Sequence, residues 1–201
     1  EGVTYNSYVL ITGEGAVLFD TWKGRYADLF IEALRKIIDP GDVKHIIVHH
    51  MEQDHSGALP VVLNHSRDAL VYGHPLAQDM IRSFYRVEPR FKPVKDGEVI
   101  EIDGYRLVFT HTPWLHWPET IMTFIENNGV LLPCDAFGGF SIPRAIFDDE
   151  LTSEEINAYL EYARKYAISV VGHYRNFIIQ NVEKLEKRGL KPRIIAPAHG
   201  L

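Results

Sequence analysis

The sequence predicts an α/β (α+β) fold in which two β-sheets are covered by helices on both outer faces. Three observations predict this fold. Strand-like and helix-like segments are mixed along the whole chain, two hairpin signals make its middle rich in strands, and candidate ligands repeatedly follow apolar strands. A chain of 201 residues fits one domain with a real buried core, so we expect a single domain over residues 1–201.

The first half of the chain predicts strands alternating with helices. Thr12-Gly13-Glu14-Gly15 is a turn signal between two apolar, strand-like runs. Apolar residues then recur at helical spacing until Pro40-Gly41 ends the helix. Ile46-Ile47-Val48 indicates a buried strand. The expected elements are strands Tyr5–Ile11, Ala16–Asp20, His45–His49 and Leu70–Tyr72, and helices Tyr26–Ile38 and Ala77–Tyr85.

The second half predicts two hairpins, then two helices and a last strand. Asp103-Gly104 and Asn127-Asn128-Gly129 are hairpin turn signals. Thr152 and Glu155 form a capping box that opens a helix, and Gly189 ends the next one. The expected elements are strands Glu98–Ile102, Tyr105–Thr110, Thr120–Glu126, Val130–Cys134 and Arg193–Ala196, and helices Thr152–Tyr166 and Val170–Arg188.

Composition argues against several classes of protein. A net charge of -6 argues against a nucleic-acid binder that relies on a basic surface. No apolar run is long enough for a membrane span and no signal peptide is visible, so we expect no membrane partner. The single cysteine, Cys134, cannot form an internal disulfide and fits a reducing cytoplasm.

Four candidate metal ligands crowd into one short block directly after the buried strand at His45–His49. The block is His50-Met51-Glu52-Gln53-Asp54-His55. We expect it to be a loop, because adjacent side chains of a loop can fan around two metals. An ordinary polar loop is the alternative interpretation, since short motifs also match by chance.

Three further candidates lie far apart in the sequence, each where a strand gives way to a loop. His116 lies among tryptophans, and packing against them is its alternative role. Asp135 follows an apolar strand, where an unpaired buried carboxylate would be costly. His199 follows the last strand, with a surface histidine as its alternative. Rigid strands can aim such side chains while leaving the site open to substrate.

The mixture of donors in this set favours iron. Four imidazoles and three carboxylates suit two redox-active iron ions better than a pair of zinc ions, because hard oxygen donors favour harder metals. The remaining histidines have no partner spacing that supports a ligand role and are expected to be structural. They are His45, His49, His65, His74, His111 and His173.

The ligand-bearing segments resemble those of one known family, the flavodiiron proteins (A-type flavoproteins), in their metallo-β-lactamase-like diiron domain. The similar segments are His50-x-Glu52-x-Asp54-His55, Leu115-His116-Trp117-Pro118, Asp135-Ala136-Phe137-Gly138 and Ala196-Pro197-Ala198-His199-Gly200. The superfamily at large has His-x-His-x-Asp-His and mostly binds zinc, and a glutamate at position 52 marks the diiron branch. The resemblance implies a four-layer αββα metallo-β-lactamase-like sandwich.

The resemblance also implies a role for each ligand. It assigns three ligands to each iron and one to both: His50, Glu52 and His116 on one, Asp54, His55 and His199 on the other, and Asp135 as the bridge. An oxo, hydroxo or water ligand would be the second bridge. In some family members the histidine at position 55 is not bound. Asp20 resembles the superfamily's acidic residue that orients ligands, with a turn cap before Thr21 as its alternative.

Four aromatic residues flank His116 and Asp135. Trp114, Trp117, Phe137 and Phe140 are candidates for the lining of an apolar pocket that suits small uncharged gases. Their alternative role is that of ordinary core aromatics.

The resemblance implies an oxidoreductase that reduces O2 to water, couples NO to N2O, or does both. In the family, FMN in a flavodoxin-like domain feeds electrons to the iron pair, and head-to-tail homodimers bring the two cofactors together. The family's N-terminal strands and flavodoxin-like domain have no counterpart in these residues. We therefore expect FMN only through a domain outside them, and a rubredoxin or separate flavoprotein as electron donor.

Two alternatives stay open at this point. A zinc-dependent hydrolase of the same fold would use a metal-bound hydroxide, and Glu52 argues against it. A non-enzymatic diiron module that binds or senses O2 is the second, and the missing flavin domain favours it. Metal content separates the first alternative from the oxidoreductase, and turnover separates the second.

Overall fold

Two five-stranded sheets form the centre of the molecule in the computed structural model, which describes residues 2–201. In spatial order, sheet A contains β1 (Tyr8–Thr12), β2 (Gly15–Phe19), β3 (Val43–Val48), β4 (Leu70–Gly73) and β5 (Arg90–Pro93). Sheet B contains β10 (Ile194–Ile195), β9 (Val130–Leu132), β8 (Ile121–Ile125), β7 (Tyr105–His111) and β6 (Val99–Ile102). Sheet A is parallel except for the β1–β2 pair, and sheet B is antiparallel except for β9–β10.

Helices connect the strands. The α-helices among residues 2–201 are α1 (Ala27–Arg35), α2 (Gln53–Ser56), α3 (Leu59–His65), α4 (Pro75–Tyr85), α5 (Ser153–Tyr166) and α6 (Arg175–Lys187). No helix in this part of the chain combines the length and the apolar character that crossing a bilayer requires.

Three hydrophobic layers hold these elements together. The central layer lies between the sheets and joins residues such as Phe19 and Ile47 of sheet A to Phe109 of sheet B. A second layer lies between sheet A and α1, α3 and α4. A third lies between sheet B and α6, where Leu185 packs with Met122. Layers of helix, sheet, sheet and helix result, so the predicted αββα sandwich is confirmed.

The two hairpins and the capping box form as the sequence predicts. At the β6–β7 turn, Asp103 and Gly104 both have positive φ, at 46° and 79°, which suits the twist of the flanking strands. Thr152 accepts a hydrogen bond from the amide of Glu155, while the Glu155 carboxylate accepts one from the amide of Thr152. Helix α5 therefore begins where its capping box places it.

Other elements differ from the sequence prediction. The expected loop at residues 50–55 ends in the short helix α2, because a single helical turn leaves no periodic pattern to detect. The predicted helix Val170–Arg188 is α-helical only from Arg175, since a π-helix at Ala167–Val171 and a 3-10 turn precede it. Neither α3 nor the edge strand β5 was predicted; β5 has polar residues and ends at a proline.

Gly57 allows helix α2 to lie close to the 3-10 turn Gly24–Tyr26. A Cβ on Gly57 would meet the amide nitrogen of Gly24 and the carbonyl oxygen of Gln53. The same close approach lets the amide of Thr21 donate to the carbonyl oxygen of His55 at 2.6 Å. Because Gly57 has no side chain, the short helix that carries two of the predicted ligands can take this position.

We predict that Gly57→Ala destabilises the metal-free protein by about 1–3 kcal/mol, the usual cost of overpacking a tight contact. Urea unfolding of the metal-free protein measures this change. Gly41→Ala is the matched control, because a Cβ there meets nothing closer than 3.4 Å. Equal free energies of unfolding for the two variants would contradict the close-approach argument.

Candidate metal centre

The structure brings the seven predicted ligands together where strand ends of the two sheets meet. His50 and Glu52 follow β3 of sheet A, and α2 then supplies the next two. The other three lie in loops after β7, β9 and β10 of sheet B. The complete set is His50, Glu52, Asp54, His55, His116, Asp135 and His199. Both sheets must therefore be in place before the set can assemble.

A first ligand group, defined as His50, Glu52 and His116, faces Oδ2 of Asp135. The Nε2 atoms of His50 and His116 lie 3.6 and 3.3 Å from that oxygen. Oε2 of Glu52 lies 3.5 Å from the first of these nitrogens and 3.0 Å from the second. Two imidazoles and two carboxylates thus point at one small volume.

A second ligand group, defined as Asp54, His55 and His199, faces the other oxygen of Asp135. The Nε2 atoms of His55 and His199 lie 2.9 and 3.1 Å from Oδ1. The carboxylate of Asp54 lies 3.6 Å from the first nitrogen and 3.7 Å from the second. Asp135 therefore lies between the groups and presents one oxygen to each.

Several of these buried polar atoms lack any hydrogen-bond partner among the described residues. They are His50 Nε2, His55 Nε2, Asp54 Oδ1 and Asp135 Oδ2. His55 Nε2 is near Asp135 Oδ1 and yet is not aligned to bond to it. Unsatisfied buried polar atoms are rare and costly, whereas metal ions at the centre of each group would satisfy all of them. The residues therefore fit a pair of metal ions.

The electrostatics of the centre favour bound positive charge. Burial disfavours the charged form of His50, but the hydrogen bond to Glu119 and the nearby carboxylates of Glu52 and Asp135 outweigh burial and raise the pKa of His50 to about 9. The pKa of His116 rises to about 9 in the same way, against burial, through Asp135 and Glu52. Burial would raise the pKa of Asp135, but the charge of His55 and the neighbouring imidazoles hold it well below its usual range. Protons stabilised in this way compete with metal ions for the same donor atoms.

Glu119, which the sequence analysis did not single out, holds His50 in place. Its side chain is fully buried, and Oε1 accepts hydrogen bonds from His50 Nδ1 at 2.7 Å and from the amide of Met51 at 3.0 Å. A donor hydrogen on Nδ1 leaves Nε2 free to face the centre. The only signal in the sequence is a carboxylate three residues after His116.

His199 is oriented by a backbone group instead. Its Nδ1 donates to the carbonyl oxygen of Thr4 at 2.6 Å, which leaves Nε2 facing Asp135. Tyr166, also missed in the sequence analysis, donates its hydroxyl hydrogen to Asp135 Oδ1 at 3.2 Å. Burial and the charge of Asp135 raise the pKa of Tyr166, so this hydroxyl stays protonated.

Asp20 contacts no ligand directly. Its carboxylate accepts hydrogen bonds from the amide of His49 at 2.8 Å and from His49 Nδ1 at 2.7 Å. His49 Nε2 lies 2.8 Å from the hydroxyl of Thr123 on β8. Asp20 therefore fixes the residue before His50 and, through Thr123, joins the ends of the two sheets. The expected structural role of His49 agrees with these contacts.

The four predicted pocket aromatics do not form one lining. Trp117 packs edge-on against His50, with ring centroids 5.0 Å apart, and so belongs to the centre. Phe140 packs against Tyr166 at 5.0 Å. Trp114 instead stacks on Tyr174 at the surface, and Phe137 is 47% exposed. Chain neighbours of a ligand often point away from it, which the sequence alone did not reveal.

We predict that Glu119→Gln weakens the binding of ferrous ion about 10-fold or more, the range typical of residues that orient a metal-bound histidine. The variant keeps the size of the side chain and an acceptor oxygen but removes the charge beside His50. Anaerobic competition against a chelator measures the affinity. Glu126→Gln, at an exposed carboxylate paired with Arg106, is the control. Equal affinity for ferrous ion in both variants would contradict the proposed role of Glu119 in orienting His50.

Comparisons with known proteins agree with this geometry. A model of a family described as "ODP family beta lactamase" matches residues 3–200. The anaerobic nitric oxide reductase flavorubredoxin of Salmonella arizonae is 34% identical over all of this chain and 41% of its own length. A structure of a flavo di-iron protein variant from Thermotoga maritima is 40% identical, with a TM-score of 0.93, over 100% of this chain and 49% of that one.

A more distant structure has the same fold. Rubredoxin oxygen:oxidoreductase from Desulfovibrio gigas is 27% identical, with a TM-score of 0.92, over 100% of this chain and 49% of that one. The chain thus spans about half of these two structures and about two fifths of the flavorubredoxin.

Proposed function

The chain belongs to the ODP family of β-lactamase-like domains and is a flavodiiron-type domain of that fold, and on that premise we propose that it is the diiron domain of an oxidoreductase that reduces O2 to water, NO to N2O, or both. The observation that carries the proposal is the position of Asp135, which presents one carboxylate oxygen to each of two ligand groups. A shared carboxylate of this kind suits two metal ions held side by side.

In this proposal the first ligand group would hold one iron ion, the second group would hold the other, and Asp135 would be a ligand of both. Three carboxylates offset much of the charge of two ferrous ions, and their oxygens favour iron over softer metals. When bound, the iron pair would supply electrons and open coordination positions for a small gas. The protein would orient His50 through Glu119 and His199 through the carbonyl oxygen of Thr4.

The relatives' names support the gas chemistry. One relative is named an anaerobic nitric oxide reductase flavorubredoxin and another a rubredoxin oxygen:oxidoreductase, so NO and O2 are the proposed substrates. The same names support a rubredoxin or a flavoprotein as electron donor. FMN, in a flavodoxin-like domain outside these residues, and a head-to-tail homodimer remain part of the proposal. So does a cytoplasmic location, which rests on the single cysteine.

Neither alternative activity is favoured. A zinc hydrolase of this fold has an imidazole where this chain has Glu52, whose carboxylate lies 3.0 Å from His116 Nε2. The relatives named above carry the names of a reductase and an oxidoreductase, which favours an enzyme over a non-enzymatic module for O2. Redox turnover of a gas is therefore the activity to test.

We predict that the purified protein holds two iron ions and that, once reduced by a supplied flavin donor in a sealed cell, it consumes O2 or NO added to the solution. Asp135→Ala removes the ligand shared by both metals, so the variant should lose at least one iron and nearly all gas consumption. Metal analysis and a gas electrode measure both quantities. Asp28→Ala, at an exposed carboxylate of α1, is the control.

Two results would overturn the proposal. The first is a protein that carries two zinc ions, hydrolyses thioesters or lactones and consumes no gas. The second is an Asp135→Ala variant with unchanged iron content and unchanged gas consumption. Stable binding of O2 by the reduced protein without its reduction would instead favour the sensing module.

A further inference from the structure

An apolar cavity of about 120 Å³ lies between sheet B and the α5–α6 region, on the side of the sheet that faces the helices. Its walls come from the loops after β7 and β9, from β8, from the π-helix Ala167–Val171 and from α6. The lining residues are Leu115, Met122, Ala136, Phe137, Ala167, Val171, Ile178, Asn181, Val182 and Leu185.

The cavity lining has almost no polar groups to which a water molecule could hydrogen-bond. Asn181 is the only polar residue of its lining, and the amide nitrogen of that side chain donates to the carbonyl oxygen of Pro113 at 3.2 Å. A water molecule needs two to four polar partners, and apolar cavities without them stay dry. An engineered apolar cavity of about 150 Å³ binds xenon or benzene, so this volume is large enough for a diatomic gas.

Three residues of the cavity wall are each adjacent in sequence to a residue of the metal centre or of its hydrogen-bond partners. Leu115 precedes His116, and Ala136 follows Asp135. Ala167 follows Tyr166, whose hydroxyl donates to Asp135. The same three chain segments therefore build the polar centre on one side and the apolar cavity on the other. At its outer end the cavity reaches Phe137 and Ala167, which are exposed to solvent.

The π-helix forms one wall of the cavity. The π-helix Ala167–Val171 interrupts the path from α5 to α6, and both of its end residues line the cavity. Short π-helical insertions are frequent at functional sites. Val171 is buried against the cavity, whereas Ile168 in the same π-helix is 77% exposed and is not part of the cavity lining.

We propose that this cavity is a binding site for small, uncharged, apolar gas molecules that holds substrate beside the metal centre. The proposal rests on the proposed function for the identity of its occupant, because O2 and NO are such molecules. A dry cavity takes them up from water for the same reason that it takes up xenon: apolar solutes leave water for an apolar space.

Crystals of the protein pressurised with xenon test the cavity directly, since anomalous diffraction locates the bound atoms. We expect xenon in the cavity of the unmodified protein and of Ile168→Phe. We expect none in Val171→Phe, where the added ring occupies the space. Xenon binding needs neither iron nor electrons, so this result is independent of gas reduction.

Steady-state kinetics of the iron-loaded variants with the supplied flavin donor complete the test. Val171→Phe should raise the KM for O2 or NO several-fold with kcat nearly unchanged, while Ile168→Phe should change neither. An empty cavity in the unmodified protein under xenon overturns the proposal, as does an unchanged KM in a Val171→Phe variant that has lost xenon. Xenon in the cavity of a protein that consumes no gas supports the binding site and counts against the proposed function instead.

Discussion

The whole centre depends on one buried carboxylate that two ligand groups share. Asp135 lies on the boundary between the groups, with His50 and His116 near one oxygen and His55 and His199 near the other. An isolated charge in that position would be costly, so the surrounding imidazoles are a condition for its burial. Two of these imidazoles, those of His50 and His55, have Nε2 atoms without a hydrogen-bond partner among the described residues, and cations between the rings and the carboxylates would satisfy them.

The αββα fold serves this constraint by bringing strand ends of two sheets together. Sheet A and its short helix α2 supply four ligands, and sheet B supplies three. The hydrogen-bonded chain from Asp20 through His49 to Thr123 joins the sheets beneath the ligands. On the sheet A side, Gly57 allows helix α2 to lie close to the turn Gly24–Tyr26. The apolar cavity lies in a separate layer of the core, between sheet B and α6, and the loops that carry His116 and Asp135 supply part of its wall.

Much of this arrangement could be predicted from sequence, because its signals are local. The turn at Asp103-Gly104 and the box at Thr152 specify the chain around them, and both form as predicted. The candidate ligands are conspicuous for a similar reason, since apolar strands precede them in the chain. Glu119 could not be found in this way, because its role depends on a hydrogen bond to His50, which is 69 positions away in the sequence.

The directions in which side chains point from the loops could not be predicted from the sequence either. Trp114 and Trp117 stand on either side of the same histidine, yet one stacks on Tyr174 at the surface and the other packs against His50. The apolar cavity uses Leu115 and Ala136 instead of these tryptophans. The segments around the candidate ligands could thus be found from the sequence. Which of their residues line the apolar cavity depends on the face of the loop that each residue occupies.

Anomalous diffraction at the iron edge from crystals of iron-loaded protein tests the central claim most directly. The account predicts two iron ions, one bonded to Oδ1 of Asp135 with the second ligand group and the other bonded to Oδ2 with the first. A single metal ion, or two ions with Asp135 bonded to only one of them, would contradict it.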